Sequence, residues 1–132
     1  MMNPSNLSSA ALAYLGDCVI EMCVREMLVG KGISHSSDLN ANALNFVKAG
    51  AQAEAMRLII PILTEEEDAV FKRGRNIGHT NTPKSATTSQ YRTATGMEAL
   101  FGWLHLSGKA ERIHELFYAA YAPQIEKIFG NN

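Results

Sequence analysis

Two acids occupy positions where an acid is costly. Asp17 follows Gly16 in "LAYLGDCVIEM" (Leu12–Met22), and Glu98 lies within "TATGMEALFGWLHL" (Thr93–Leu106), and both stretches are apolar with helical spacing. Burying a carboxylate is unfavourable unless something pairs with it, and a glycine inside a helix costs about 1 kcal/mol relative to alanine. The neighbours of both acids are small: Ala13 and Gly16 flank Asp17, while Ala94, Thr95 and Gly102 flank Glu98. Small residues let two helices approach closely, and carboxylate oxygens from facing helices suit a hard divalent ion, Mg²⁺ or Mn²⁺. A structural ion pair explains each acid alone equally well. Glu98 could pair with Arg92 or His105, and Asp17 could bond near Arg25 or to a tyrosine.

A second feature is charge placement. Asp68 is the last acid before Glu98, so positions 69–97 carry Lys72, Arg73, Arg75, Lys84 and Arg92 with no acid, a local charge of +5 in a chain whose net charge is -1. That window leads directly into Glu98 and would hold a polyanion beside it. A solvated surface is the plain alternative.

These residues need elements to position them. Ser8 and Ser9 are candidate N-caps for a helix through Leu28 that ends at Gly30 or Gly32. Its main apolar stripe is Leu12, Leu15, Val19, Met22, Cys23 and Met27, continued by Ala13, Ile20, Val24 and Leu28, with a polar strip at Tyr14, Glu21 and Arg25. "ALNFVKAGAQAEAMRLIIPIL" gives one or two further helices, with Gly50 as the break. "TEEEDAVFKRGRN" opens with Thr64 and Glu67 at capping-box spacing. Residues 74–89 read as a long loop, followed by a helix to Gly108 and a last helix carrying Pro123. Nothing alternates with period two, so the expected fold class is all-α, one domain over 1–132.

The totals agree. A chain of 132 residues, 46% hydrophobic and 19% charged, suffices for one core. Cys18 and Cys23 point about 140° apart on a helix, read as core residues and cannot bridge. No apolar run approaches a membrane span and no secretory leader is evident, so a reducing cytoplasm is expected. The four histidines lack zinc spacing, and no phosphate loop or nucleophile elbow is present.

"ALAYLGDCVIE", "AQAEA", "TEEEDAVFKRGRN", "TPK" and "YRTATGMEALFGWLHL", in this order, resemble Mini-ribonuclease III, the compact branch of the ribonuclease III family without a double-stranded-RNA-binding domain. The resemblance runs from about Leu7 to the last helix. It implies an all-helical homodimer that cleaves double-stranded RNA with Mg²⁺, Mn²⁺ being the alternative ion, leaves 5′-phosphate ends, and matures precursor large-subunit ribosomal RNA in the cytoplasm. A ribosomal protein is a candidate partner. It further implies that Asp17 and Glu98 are the catalytic, metal-binding pair, that Lys72, Arg73, Arg75 and Lys84 lie in the RNA-contacting region, joined by Arg92 from the same basic window, and that Tyr14 sits at the dimer interface. Where full-length ribonuclease III carries further acids, this chain has Ala13 and Thr95, which thins the ion site. A non-catalytic RNA-binding or ribosome-associated module of the same fold is the alternative.

Overall fold

The computed structural model describes residues 3–77 and 87–130, and the described residues are helical without strands. A short 3₁₀ turn, Pro4–Asn6, precedes six α-helices: α1 (Ser9–Gly30), α2 (Ser36–Val47), α3 (Ala49–Ile59), α4 (Glu65–Arg75), α5 (Thr88–Leu106) and α6 (Ala110–Phe129). A second 3₁₀ turn, Ile60–Ile62, joins α3 to α4 around Pro61.

The starts of three helices are fixed by side chains that satisfy otherwise orphaned backbone N–H groups. Ser8 caps α1 by accepting from the Ala11 N–H. Thr64 and Glu67 form a full capping box on α4, with bonds of 2.9 and 3.1 Å. Thr87 and Gln90 form a second box on α5, which the sequence reading did not single out. The chain breaks between α2 and α3 at Lys48, whose ψ of 147° is extended, and not at Gly50. α2 also begins earlier than expected, and α6 runs through Pro123 as one helix.

α5 is the central rod. Eleven of its residues, from Thr93 to Leu104, are buried, and α1, α3 and α4 pack along it. The close approach of α1 to α5 rests on two glycines. A Cβ on Gly16 would lie 1.6 Å from the Glu98 carbonyl oxygen, and one on Gly102 would lie 2.1 Å from the Leu12 carbonyl oxygen. No side chain larger than hydrogen fits at either position. Gly74 does the same for α4, where a Cβ would meet the Ala99 methyl at 2.6 Å.

The core face of α1 differs from the expected stripe. Leu12, Ala13, Ile20, Val24, Met27 and Leu28 are buried, whereas Met22 is 57% exposed and Leu15, Val19 and Cys23 are half-buried. Cys18 is exposed, so neither cysteine is a fully buried core residue, and both are free thiols. α1 is apolar on nearly all sides, and periodicity alone does not say which apolar side meets α5.

Candidate functional site

α1 and α5 cross at Gly16 and Gly102, and this crossing carries both acids. Asp17 follows the glycine that touches the Glu98 backbone, so the tight packing itself brings the two carboxylates to the same place. They lie in one cleft of about 380 Å³. Ala13, Tyr14 and Asp17 line it from α1, Tyr91, Thr95 and Glu98 from α5, and Ile77 just past the end of α4.

The two acids differ in setting. Glu98 is half-buried, while Asp17 is exposed at the rim, so the expectation of two embedded carboxylates holds for one of them. Burial pushes the Glu98 carboxyl up to about 8, helped by the neighbouring Asp17 charge and by a hydrogen bond to Asp17. Close to neutral pH Glu98 therefore keeps a proton that an ordinary glutamate would release.

Among the described residues neither acid forms an ion pair with a basic side chain. Among the described residues, Arg25 pairs with Glu21, Lys72 with Asp68, and Arg112 with Glu67 and Glu115. The partners considered from sequence, Arg92 or His105 for Glu98 and the Arg25 region for Asp17, do not form these ion pairs. Two hard oxygen donors converging from separate helices, with no ion pair to a basic side chain among the described residues, fit a divalent cation such as Mg²⁺ or Mn²⁺.

The basic window is partly assembled here. Gly74 sits against Gly96 and Ala99 of α5, which places the last turn of α4, with Lys72, Arg73 and Arg75, beside the turn of α5 that carries Glu98. Lys72 and Arg73 are exposed and Arg75 half-buried, its guanidinium 5.5 Å from the Phe71 ring centroid. Lys72 bonds Asp68 at 2.7 Å, so one cation is already partly neutralised. Arg92 is exposed one turn before Thr95 on α5. Lys84 lies outside the described residues.

Tyr14 is 87% exposed and projects at the rim of the carboxylate cleft. Beyond it, α1 and α6 enclose an apolar groove of about 400 Å³, in which Val19 and Met22 face Ile113, Phe117 and Tyr118.

One polar cluster escaped the sequence reading. Glu67, only 2% exposed, receives Arg112 Nε at 2.9 Å and Nη2 at 2.8 Å, and the same guanidinium donates to the Ile62 carbonyl at 2.8 Å. Burial would push the Glu67 carboxyl up, but the hydrogen bonds from Arg112 and the Thr64 backbone, with the Arg112 charge, hold it below its ordinary value. The capping-box spacing revealed Glu67. Nothing local pointed to Arg112, which stands far along the chain.

Comparison with known proteins agrees with this architecture. The ribonuclease III domain family matches residues 10–109. A Mini-ribonuclease 3 of Symbiobacterium thermophilum is 45% identical over 91% of this chain and 92% of its own length. That of Brevibacillus brevis is 42% identical over 91% and 90%. The crystal structure of a Fusobacterium nucleatum protein, 30% identical, superposes with a TM-score of 0.80 over 90% of this chain and 95% of that one.

Proposed function

This chain belongs to the ribonuclease III family and to its Mini-ribonuclease 3 branch, and is thus an endoribonuclease acting on RNA, from which we propose that it cleaves double-stranded RNA at the Asp17–Glu98 cleft with a divalent cation. The observation that carries the reading is the meeting of these two carboxylates across the Gly16–Gly102 crossing, without an ion-pair partner among the described residues. Membership of a family of enzymes sets aside the non-catalytic module.

The chain's own residues divide the work. Asp17 and Glu98 hold the cation between α1 and α5. When bound, Mg²⁺ supplies Lewis-acid polarisation of the scissile phosphate and a water of lowered pKa. Arg73, Arg75 and Arg92, with Lys72 in a lesser share, hold backbone phosphates and set the duplex against the cleft. Lys84 is assigned to the same surface by its place in the basic window. Because A-form RNA hides its base edges in a deep groove, these contacts select shape and backbone. The products carry 5′-phosphate ends.

The proposed assembly is a homodimer with Tyr14 at its interface. Support comes from the 87% exposure of Tyr14 and the apolar groove between α1 and α6, a surface that a second copy would cover. Two symmetry-related clefts would then each cut one strand. The natural substrate we assign is precursor large-subunit ribosomal RNA in the cytoplasm, with a ribosomal protein as a candidate partner. Among the described residues no helix is long and apolar enough to cross a membrane.

The test is cleavage of end-labelled duplex RNA with Mg²⁺. Wild-type protein should cut both strands, and Asp17→Asn and Glu98→Gln should not, while keeping their fold and their duplex binding measured in EDTA. An Asp17→Asn protein that cuts at the wild-type rate removes the cleft from the reaction.

A further inference from the structure

The connector between α3 and α4 exposes apolar side chains where six apolar residues in a row suggest core. Along "LIIPIL" (58–63) Ile59 alone is fully buried, while Leu58 is 47% exposed, Ile60 38% and Ile62 48%, with Pro61 exposed between them. Single exposed apolar residues are ordinary, but several side by side mark a contact surface. This one shares no residue with the α1–α6 groove or with the carboxylate cleft.

The turn is fixed from behind. Pro61 restricts its backbone, and the Leu63 N–H bonds the Ile60 carbonyl at 3.3 Å. Arg112 Nη2 donates to the Ile62 carbonyl at 2.8 Å, while the same guanidinium pairs with buried Glu67 and with Glu115. A surface ordered before contact loses little freedom on binding. Its rim is acidic. Glu65 and Glu66 are exposed on the first turn of α4, as are Glu111 and Glu115 near the start of α6. Arg112 is balanced by Glu67, so Arg57 and Lys109, both exposed, offset two of these four acids and leave two negative charges in excess.

That charge decides what can cover the turn. It repels nucleic acid and anionic lipid. A second copy in a two-fold contact would set the same acids against themselves. A cationic protein segment with an apolar stripe matches both the charge and the oily turn. We propose that Leu58, Ile60 and Ile62, rimmed by Glu65, Glu66 and Glu115, dock the apolar face of a basic amphipathic helix of another protein. The position suits a partner that also touches RNA. α4 carries its acids at one end and Lys72, Arg73 and Arg75 toward the other, and its 11 residues span about 16 Å. The partner thus stands beside the proposed phosphate surface without covering it, and its spare cations strengthen the grip on duplex of a chain whose own net charge is -1. This last role rests on the RNA reading above, whereas the docking itself does not.

The experiment uses two fluorescein-labelled peptides, amphipathic helices with the same leucine stripe and either lysine or glutamate on the polar face. Each is titrated with the full chain and followed by anisotropy. The leucine–lysine peptide should bind and the leucine–glutamate peptide should not. Ile60→Ser/Ile62→Ser should weaken the leucine–lysine complex about tenfold or more. Glu65→Gln/Glu66→Gln should weaken it and flatten its salt dependence. Both variants should keep wild-type circular dichroism, sedimentation and cleavage of naked duplex RNA. No binding of the leucine–lysine peptide, equal binding of the two peptides, or equal binding to wild type and the isoleucine variant overturns the proposal. Sedimentation of the isoleucine variant shifted toward monomer also overturns it, by assigning the turn to a contact between copies. If the isoleucine variant does not fold, the peptide pair and the glutamine variant decide the matter. Wild-type protein that binds the leucine–lysine peptide but cuts no duplex refutes the cleft and leaves the docking surface standing.

Discussion

Replacing Gly16 with alanine tests the physical basis of the site in one methyl group. The new Cβ would stand 1.6 Å from the Glu98 carbonyl oxygen, 2.5 Å from its carbonyl carbon and 2.9 Å from the Gly102 nitrogen. Real Cβ atoms keep at least 3.0 Å from such neighbours, so the two helices must part by about 1.4 Å, the difference between 3.0 and 1.6. All three obstacles are backbone, and no rotamer change relieves them. Overpacking of this kind costs about 3 kcal/mol, the upper end of the usual range. Alanine recovers about 1 kcal/mol of helix propensity, leaving a net loss of about 2 kcal/mol. At about 4 °C per kcal/mol, melting should fall by about 8 °C. The same parting separates Asp17 from Glu98, and a misplacement of about 1 Å can cost about a hundredfold in rate. Thermal melting and initial cleavage rates well below the transition read both effects. Gly30→Ala is the control, because nothing lies within 4 Å of its Cβ, and it should stay within about 0.5 kcal/mol of wild type. A Gly16→Ala protein as stable and as active as the Gly30→Ala control refutes the reasoning.

Other substitutions probe separate parts of the molecule. Arg112→Met strands the buried Glu67 carboxylate and should cost about 3–5 kcal/mol in urea unfolding near neutral pH. Because the folded Glu67 carboxyl is held below its ordinary 4.5, its contribution is present above that value and disappears as pH falls through the folded one, so wild type and variant should converge in acid. Glu98 has the opposite sign. Its folded carboxyl keeps a proton that the unfolded chain releases, so wild-type melting in EDTA should decline from pH 4.5 to about 8, and Glu98→Gln should flatten that decline. Arg73→Ala or Arg75→Ala should each reduce the slope of log affinity against log salt for duplex RNA by about 1, whereas an unaltered slope takes that arginine off the phosphate surface. Tyr14→Ala should shift sedimentation toward monomer at equal protein concentration, and an unshifted profile removes Tyr14 from the interface.

Local patterns in the sequence were enough to reveal much of this molecule. Helical periodicity, without any alternation of period two, gave the all-α class, and serine or threonine at the right offset marked the starts of α1 and α4. These are interactions between residues within one turn of each other, which is why they can be read from the chain. The two acids set among small residues could also be seen, as could the one-sided basic window. What the sequence left open depended on distant partners. Apolar on nearly every side, α1 did not declare which face was core, and packing against α5 buried Ile20 and Val24 while exposing Met22. Arg112 has no local reason to seek Glu67, and only the arrival of α6 beside the start of α4 joins them. Asp17 and Glu98 are likewise strangers along the chain. Two glycines, each useless to its own helix, let backbones touch at a crossing of α1 and α5, and that contact, which belongs to neither segment alone, brings one carboxyl within reach of the other.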